Sequence, residues 1–454
     1  MWSRFGSNAL ANVLTGGSTV VFQLGLTWLA TRSFDAATFS VWSLALSMAG
    51  LVPLFTINLS SVVTRQLVPA IAAGRQRQIG LVITAAHRLG IGLALIAILI
   101  IMGAAAGLHR VSPALASTGT GTFLMAVLLL TIGQLWQITI QPTMAWHYAR
   151  EDNWPGVVAL LLIRMIALGA MWFATRALTG DLLATALCLT AGYWTGMGVA
   201  YSRTFKPKLD PTATFEGLKQ QIIETTRLLR WFAIWSVGMA AIQYGLPQVM
   251  SVLGAAHYNA FYLAYSLNLV VSGIAAAIGS AMLAPVTRFV ASGNRSATQQ
   301  ALLHLPIAIA IILVGMLFAI QWSMPFLVTH WSHGIASAPD VNAYLFLLGL
   351  QTIARSLPIA FAMVMASRTT GLRLVAPSLL ELAVLLLAAI PLGYFFGERV
   401  FLLALTGAGI AAALATAATG LRAADLEKSD RRRVFLRFVA TEICALTVWW
   451  SLAG

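Results

Sequence analysis

A chain of 454 residues that is 59% hydrophobic and 9% charged lies far from the composition of a water-soluble domain, in which about a quarter of residues are charged. Its net charge of +14 does not mark a nucleic-acid binder, because the basic residues lie between apolar runs and form no single basic face. Cys188 and Cys444 each sit in an apolar stretch, which excludes a disulfide framework and a CxxC metal spacing.

The N-terminus, MWSRFGSNALANVLTGG, has one arginine ahead of an apolar run and no small-residue cleavage site. It reads as a first transmembrane helix and not as a removed signal. Apolar stretches of about 20 residues, enough to cross a bilayer as a helix, follow along the whole chain. They place twelve spans near 7–31, 36–59, 88–108, 122–147, 156–177, 182–202, 229–253, 257–283, 303–328, 341–366, 374–396 and 400–421. The tail, RRRVFLRFVATEICALTVWWSLAG, with Arg437, Glu442 and a Trp pair, is either a thirteenth span or an interfacial helix. Twenty-two Lys and Arg residues fall at the N-terminus, in loops after even-numbered spans, or in the tail. Loops after odd-numbered spans hold only Arg32, Arg110, Arg176 and Arg399, so both termini are expected on the cytoplasmic side. The remaining two, Arg164 and Arg355, lie inside spans.

The chain also repeats itself. AATFSVWSLALS (36–47) overlays AAHYNAFYLAYS (255–266) at an offset of 219, pairing Phe39 with Tyr258, Trp42 with Phe261 and Ser47 with Ser266. LVPAIAAGRQRQ (67–78) then echoes LAPVTRFVASGNRS (283–296) with a small insertion. The expected fold is therefore all-α and polytopic, with two six-helix lobes of the same orientation. Their expected bounds are 1–202 and 229–422, with a basic cytoplasmic linker at 203–228 and a basic tail at 423–454.

These segments, NALANVLTGG…LATRSFDAATFSVWSLALSMAG…VVTRQLVPAIAAGRQRQ and, in the second lobe, LLRWFAIWSVGMAAIQYG…LGAAHYNAFYLAYSLNL…AMLAPVTRFVASG, resemble the Wzx-like oligosaccharide flippases. These belong to the multidrug/oligosaccharidyl-lipid/polysaccharide exporter superfamily. In that family an Asn-containing helix leads to an L-G-x-x-x-F-G-x-Y turn, a second helix and an Arg before a basic loop. Here the turn glycine is Ser40, and Asn259 in the second copy, and the first aromatic after it is Trp42. The likeness spans most of residues 1–300 and is weaker beyond. It implies alternating-access transfer of a polyprenyl-diphosphate-linked oligosaccharide from the inner to the outer leaflet of a bacterial cytoplasmic membrane. The partners it implies are that lipid-linked substrate, membrane lipids and polysaccharide polymerase machinery, and no nucleic acid.

Within that expectation the two intramembrane arginines matter most. A guanidinium cannot shed its proton, and at mid-bilayer it costs about 2.5–3.5 kcal/mol even on insertion scales. Arg164 lies in LLIRMIALGA, and Arg355 in LLGLQTIARSLPIAFAMVMAS, one turn after Gln351 and just before the kink expected at Pro358. Each is a bidentate ligand for the diphosphate or pairs internally, Glu381 being the acid available within the spans. Glu381 is thus either an arginine partner or a coupling group.

Polar uncharged residues form stripes. Asn8, Asn12, Thr15, Thr19, Gln23 and Thr27 share one face of the first span, and Gln134, Gln137 and Gln141 one face of the fourth. Gln243, Tyr244 and Gln248 surround Pro247, and Asn268 follows in the eighth span. Amides in lipid are costly without partners, so these residues are expected to line a polar cavity. No G-x-x-x-x-G-K-[ST] occurs, and His330 and His333 have no third ligand nearby, so no nucleotide, metal or other cofactor is expected. No paired carboxylates or nucleophile–base set points to an enzyme. The rival function is a cation-coupled multidrug exporter, which relies on acids in the first lobe; the first six spans contain none.

Overall fold

The computed structural model describes residues 2–55, 59–116, 118–150, 152–178, 180–203, 214–369 and 371–453, apart from some side chains, among them those of Asn8 and Asn12. The chain divides into two compact units, Met1–Ala255 and Ala256–Gly454. The first contains α1 (Trp2–Ser33), α2 (Ala36–Ala49), α3 (Leu59–Ala72), α4 (Gln76–Val111), α5 (Thr120–Gln134), α6 (Trp136–Ala149), α7 (Trp154–Ala177), α8 (Leu182–Arg203) and α9 (Phe215–Leu253). The second contains α10 (Tyr258–Ala291), α11 (Arg295–Trp322), α12 (Met324–Leu327), α13 (Ala338–Ser356), α14 (Ile359–Arg368), α15 (Leu372–Val384), α16 (Ile390–Phe396), α17 (Glu398–Ala423) and α18 (Lys428–Ala453). Among the described residues, ten stretches are long and apolar enough to cross a membrane. Nine match the expected spans two to six and nine to twelve, and the tenth is the tail. The other three spans correspond to α1, α9 and α10.

Proline lies at two of the breaks inside spans. A 3-10 turn, Val52–Phe55, contains Pro53 and interrupts the second span between α2 and α3. Leu357 and Pro358 separate α13 from α14, which is the kink expected beside Arg355.

Helix ends confirm the repeat and correct its register. Gly74 and Gly293 lie 219 residues apart and both adopt positive φ, 65° and 68°. Each follows a helix ending at Ala72 or Ala291 and precedes one starting at Gln76 or Arg295. A backbone in this region favours glycine, which fixes the alignment here. No insertion separates the two copies: the offset that matches residues 36–47 to 255–266 holds through the following turn, and Ala149 and Arg368 end equivalent helices farther on.

The boundary between units differs from the one expected. Residues 229–253 were assigned to the second lobe, but α9 packs within the first unit, against α2, α3 and α4. Thr225 donates to Gln66 Oε1 at 3.1 Å, Gln248 Nε2 donates to Ser47 Oγ at 3.2 Å, and Ser112 Oγ donates to the Ser251 carbonyl at 3.1 Å. Hydrogen bonds toward both ends of one helix, added to apolar contact, outweigh its repeat membership.

The tail is also resolved. Near its start, Asp430 accepts from Gln299 at the beginning of α11 (3.0 Å). Midway, Phe438 meets Phe361 edge-on at 5.0 Å. Near its end, Trp449 Nε1 donates to the Phe346 carbonyl in the first half of α13 (2.9 Å). Helix α18 therefore runs the length of the second unit, alongside α11 and antiparallel to α13, and does not lie flat at an interface. Its last turn, ending at Ala453, is at the opposite end of the unit from the basic segment Arg431–Arg433.

In the first unit α7 and α8 make the closest helix pair. Gly192 and Gly196, four residues apart on α8, let the backbones touch. A Cβ on Gly196 would lie 2.6 Å from Ile163 Cα, and one on Gly192 would lie 2.8 Å from Ala167 Cα. Both obstacles are backbone and cannot rotate aside. Gly196→Ala is expected to cost about 1–3 kcal/mol by overpacking. A lower melting temperature in detergent with unchanged helix content checks this; unchanged melting would refute it.

Helix α2 starts with a side-chain cap. Asp35 accepts from the Thr38 backbone N–H at 2.7 Å, and that bond holds its carboxyl below the usual carboxylate range. A depressed folded value stabilises above the unfolded value and is lost as pH falls through the folded one. Asp35→Ala should cost about 0.5–2 kcal/mol at neutral pH, toward the lower figure at this exposed site. The deficit against wild type should vanish in strongly acid buffer, as read by thermal unfolding at both pH values.

Candidate functional site

Arg164 sits in the middle of α7, on the face turned to α1. Its Nη1 donates to the Thr15 carbonyl at 3.0 Å and to Ser18 Oγ. Gly25 on α1 and Leu168 on α7 meet closely enough that a Cβ on Gly25 would lie 2.9 Å from Leu168 Cδ1, so the helices are held together one turn beyond the arginine. The other groups within electrostatic reach are the hydroxyls of Tyr193 and Tyr148. Among the described residues no carboxylate pairs with Arg164. Its hydrogen-bonding groups are partly met by neutral oxygens, and among the described residues no anion compensates its charge.

Beside it lies a buried polar and aromatic cluster built from α1, α5, α6 and α8. Gln134 Nε2 reaches the Tyr193 hydroxyl at 3.1 Å, and Gln137 Nε2 donates to Gln134 Oε1. Trp136 stacks on Tyr193 with ring centroids 5.9 Å apart, and Phe22 approaches the same ring at 5.8 Å. The close approach of α5 and α8 makes this possible: Gly133 faces Thr190, whose hydroxyl donates to the Leu129 carbonyl at 2.7 Å. Gln134 and Gln137 are thus brought together, and Gln141 is half-buried one turn on.

The stripe on α1 resolves into different parts. Thr15, Thr19 and Thr27 donate to the carbonyls of Ala11, Thr15 and Gln23, within their own helix. Such bonding makes a threonine inexpensive in an apolar medium, so these three do not by themselves require a wet cavity. Thr19 is exposed, Gln23 is half-buried and Thr27 is buried. The side chains of Asn8 and Asn12 lie outside the described residues.

Arg355, in the second unit, has a different environment. Its Nε lies 2.9 Å from Oε1 of Glu381 on α15, and the Glu381 side chain is 3% exposed. Gly409 on α17 accommodates the arginine stem, since a Cβ there would sit 3.3 Å from Arg355 Cγ. Glu381 thus lies within ion-pair distance of the arginine, as its partner reading expects. Gln351 is buried on the same helix, and its neighbour Thr352 donates to Asn268 Oδ1 on α10 at 3.0 Å. Gln243 is half-buried on α9.

Tyr193, Tyr148 and Ser18 were not among the residues singled out from the sequence. Ser18 lies off the Thr15–Thr19 register. Tyr193 lies in AGYWTG, where its glycine neighbours mark close helix contact, a usable signal for a buried ring whose hydroxyl needs a partner. Among the described residues no group of three or more His, Cys, Asp or Glu side chains has the arrangement to hold a metal ion.

No family model matches the chain, and no curated protein matches it. Solved structures do. The eukaryotic MATE transporter AtDTX14 is similar with a TM-score of 0.70 at 17% identity, over 96% of this chain and 98% of that one. The lipid II flippase MurJ, in an inward closed conformation, is similar with a TM-score of 0.61 at 13% identity, over 96% and 97%. A MOP superfamily transporter from Pyrococcus furiosus, described by the reverse polarity of its binding pocket, gives 0.63 at 12% identity, over 96% of each chain. Identities this low establish fold alone. The chain has the all-α fold of the MOP superfamily transporters.

Proposed function

We propose that this protein is a flippase for a polyprenyl-diphosphate-linked oligosaccharide, moving it from the inner to the outer leaflet of a bacterial cytoplasmic membrane by alternating access. The observation that carries the reading is Arg164, a permanent cation in mid-helix whose described partners are all neutral. A diphosphate supplies the missing charge and matches the guanidinium fork. Gln23, Gln137 and Gln141, all half-buried, are the amides suited to sugar hydroxyls, while Gln134 and Tyr193 hold the wall behind them. The polyprenyl chain stays in lipid.

Arg355 contributes differently. It joins the phosphate only by letting go of Glu381, whose buried carboxyl then takes up a proton to stay uncharged. Outward movement of two negative charges against an inside-negative potential would release about 4–5 kcal/mol per 100 mV, which provides a driving force if no counter-ion travels along.

A multidrug exporter is the second reading, favoured by the likeness to a MATE transporter. The absence of any Asp or Glu from the first six spans opposes it, since a cationic drug or coupling ion needs an anion there. Equilibrium binding to the purified protein in nanodiscs separates the two. A polyprenyl-diphosphate glycan should bind more tightly than its monophosphate analogue, and a cationic dye should not compete. Equal binding of both lipids, or displacement by the dye, would reject the reading.

A further inference from the structure

Helix α18 follows the twelve expected spans and packs on α11, α13 and α17, and on α14 through Phe361. The charged residue of α14, Arg368, donates to the Val290 carbonyl at 2.6 Å and the Ala423 carbonyl at 3.4 Å. Its buried face is Val434, Phe438, Glu442, Ala445 and Trp449, spaced at four, four, three and four residues. That is the spacing of a helical seam, and four of its five positions are apolar. The fifth is a glutamate, 3% exposed, whose two carboxylate oxygens are both buried and have no hydrogen-bond partner among the described residues.

The charged and titratable groups on the packed helices are engaged or placed elsewhere. On α13, Arg355 pairs with Glu381, and Tyr344 donates to Glu398 of α17. Asp340 bonds Ser337 at the start of α13, and on α17 Arg399 and Arg422 lie within the first and last turns. On α11, Arg295 pairs with Asp425 and His304 is exposed. On α18 itself Asp430 accepts from Gln299, Arg431 donates to the Leu426 carbonyl, and Lys428, Arg432, Arg433 and Arg437 precede Glu442 outside the seam. Among the described residues no cation pairs with this carboxylate, and no group of three or more His, Cys, Asp or Glu side chains is placed to hold a metal ion. A proton neutralises the group without any additional ligand.

We propose that Glu442 is a proton-binding site, and that α18 seats fully in its seam only with the proton bound, so the packing of this extra helix senses pH. Release of the proton leaves a buried anion that is relieved only when the middle of α18 moves out of the seam. This inference is independent of the transported substrate.

Infrared difference spectroscopy on the chain in nanodiscs tests the protonation state. The wild type should show a carboxylic acid C=O band in neutral buffer that Glu442→Gln removes and Glu381→Gln leaves in place. Thermal unfolding tests the linkage. Wild type should lose stability from acid to alkaline buffer, while Glu442→Gln and Glu442→Leu should lose most of that dependence and match or exceed wild type in alkaline buffer. A band unaffected by Glu442→Gln would overturn the proposal. So would destabilisation by both substitutions at every pH, which would show an ionised residue with a structural partner.

Discussion

Arg164→Gln should abolish flipping of a polyprenyl-diphosphate oligosaccharide while leaving the protein folded. The glutamine amide ends two bonds short of Nη1 and gives up the Thr15 and Ser18 contacts. Ser18 Oγ still donates to the Thr15 carbonyl at 2.8 Å and Gly25 still packs on Leu168, so the contact between α1 and α7 should survive. The substitution also removes the charge. A charge-assisted hydrogen bond to phosphate contributes about 1.5–3 kcal/mol, and a bidentate pair more, so affinity for the diphosphate should fall by roughly 10- to 100-fold or beyond. Removing a half-buried cation also lifts a desolvation cost, so the melting temperature should hold or rise. Parallel transport and melting measurements in proteoliposomes and detergent check both halves. Normal transport by the variant would make Arg164 a structural residue; loss of transport together with loss of folding would be explained by packing alone.

The second large effect concerns the buried pair in the other unit. Glu381→Gln removes the carboxylate 2.9 Å from Arg355, and breaking a buried ion pair on one side typically costs about 3–5 kcal/mol. Arg355→Gln should cost less, because the remaining carboxyl can take up a proton, whereas a guanidinium cannot release one. The double substitution should cost less than the sum of the singles, giving a coupling energy of about 0.5–3 kcal/mol. Melting temperatures of the four proteins in one detergent measure this cycle. Additive losses would mean that the contact contributes no coupling.

These two arginines also show what the sequence discloses and what it does not. Both stand out equally in a hydropathy trace, because each interrupts an apolar run near its middle. Their difference comes from neighbours on other helices: Glu381 comes from α15, while α1 offers Arg164 only a carbonyl and a hydroxyl. Spans are legible because a bilayer demands runs of apolar residues, and the prolines that bend them are legible for the same backbone reason. The repeat was visible at residues 36–47, but its register past Ala72 needed the positive φ of Gly74 and Gly293, which composition does not reveal. Placement of α9 depended on three hydrogen bonds distant in sequence, Thr225–Gln66, Gln248–Ser47 and Ser112–Ser251. The tail was ambiguous because its first ten residues are rich in arginine; its depth is set by Phe361 and by the Phe346 carbonyl.

The amide stripes were read too uniformly. Threonines on α1 bond within their own helix, and Gln134 binds both Gln137 and Tyr193. Arg164 therefore bears more of the functional reading than the amides do.

The measurement that tests the central claim most directly is leaflet transfer by the wild-type protein in proteoliposomes under an imposed membrane potential. A fluorescent polyprenyl-diphosphate oligosaccharide and a cationic dye would be followed in separate samples. The diphosphate glycan should cross in the presence of protein, faster when the potential favours outward movement of anions, and the dye should not. Dye transport driven by a proton or sodium gradient, with no transfer of the glycan lipid, would contradict the account and establish a cation-coupled exporter on the same fold.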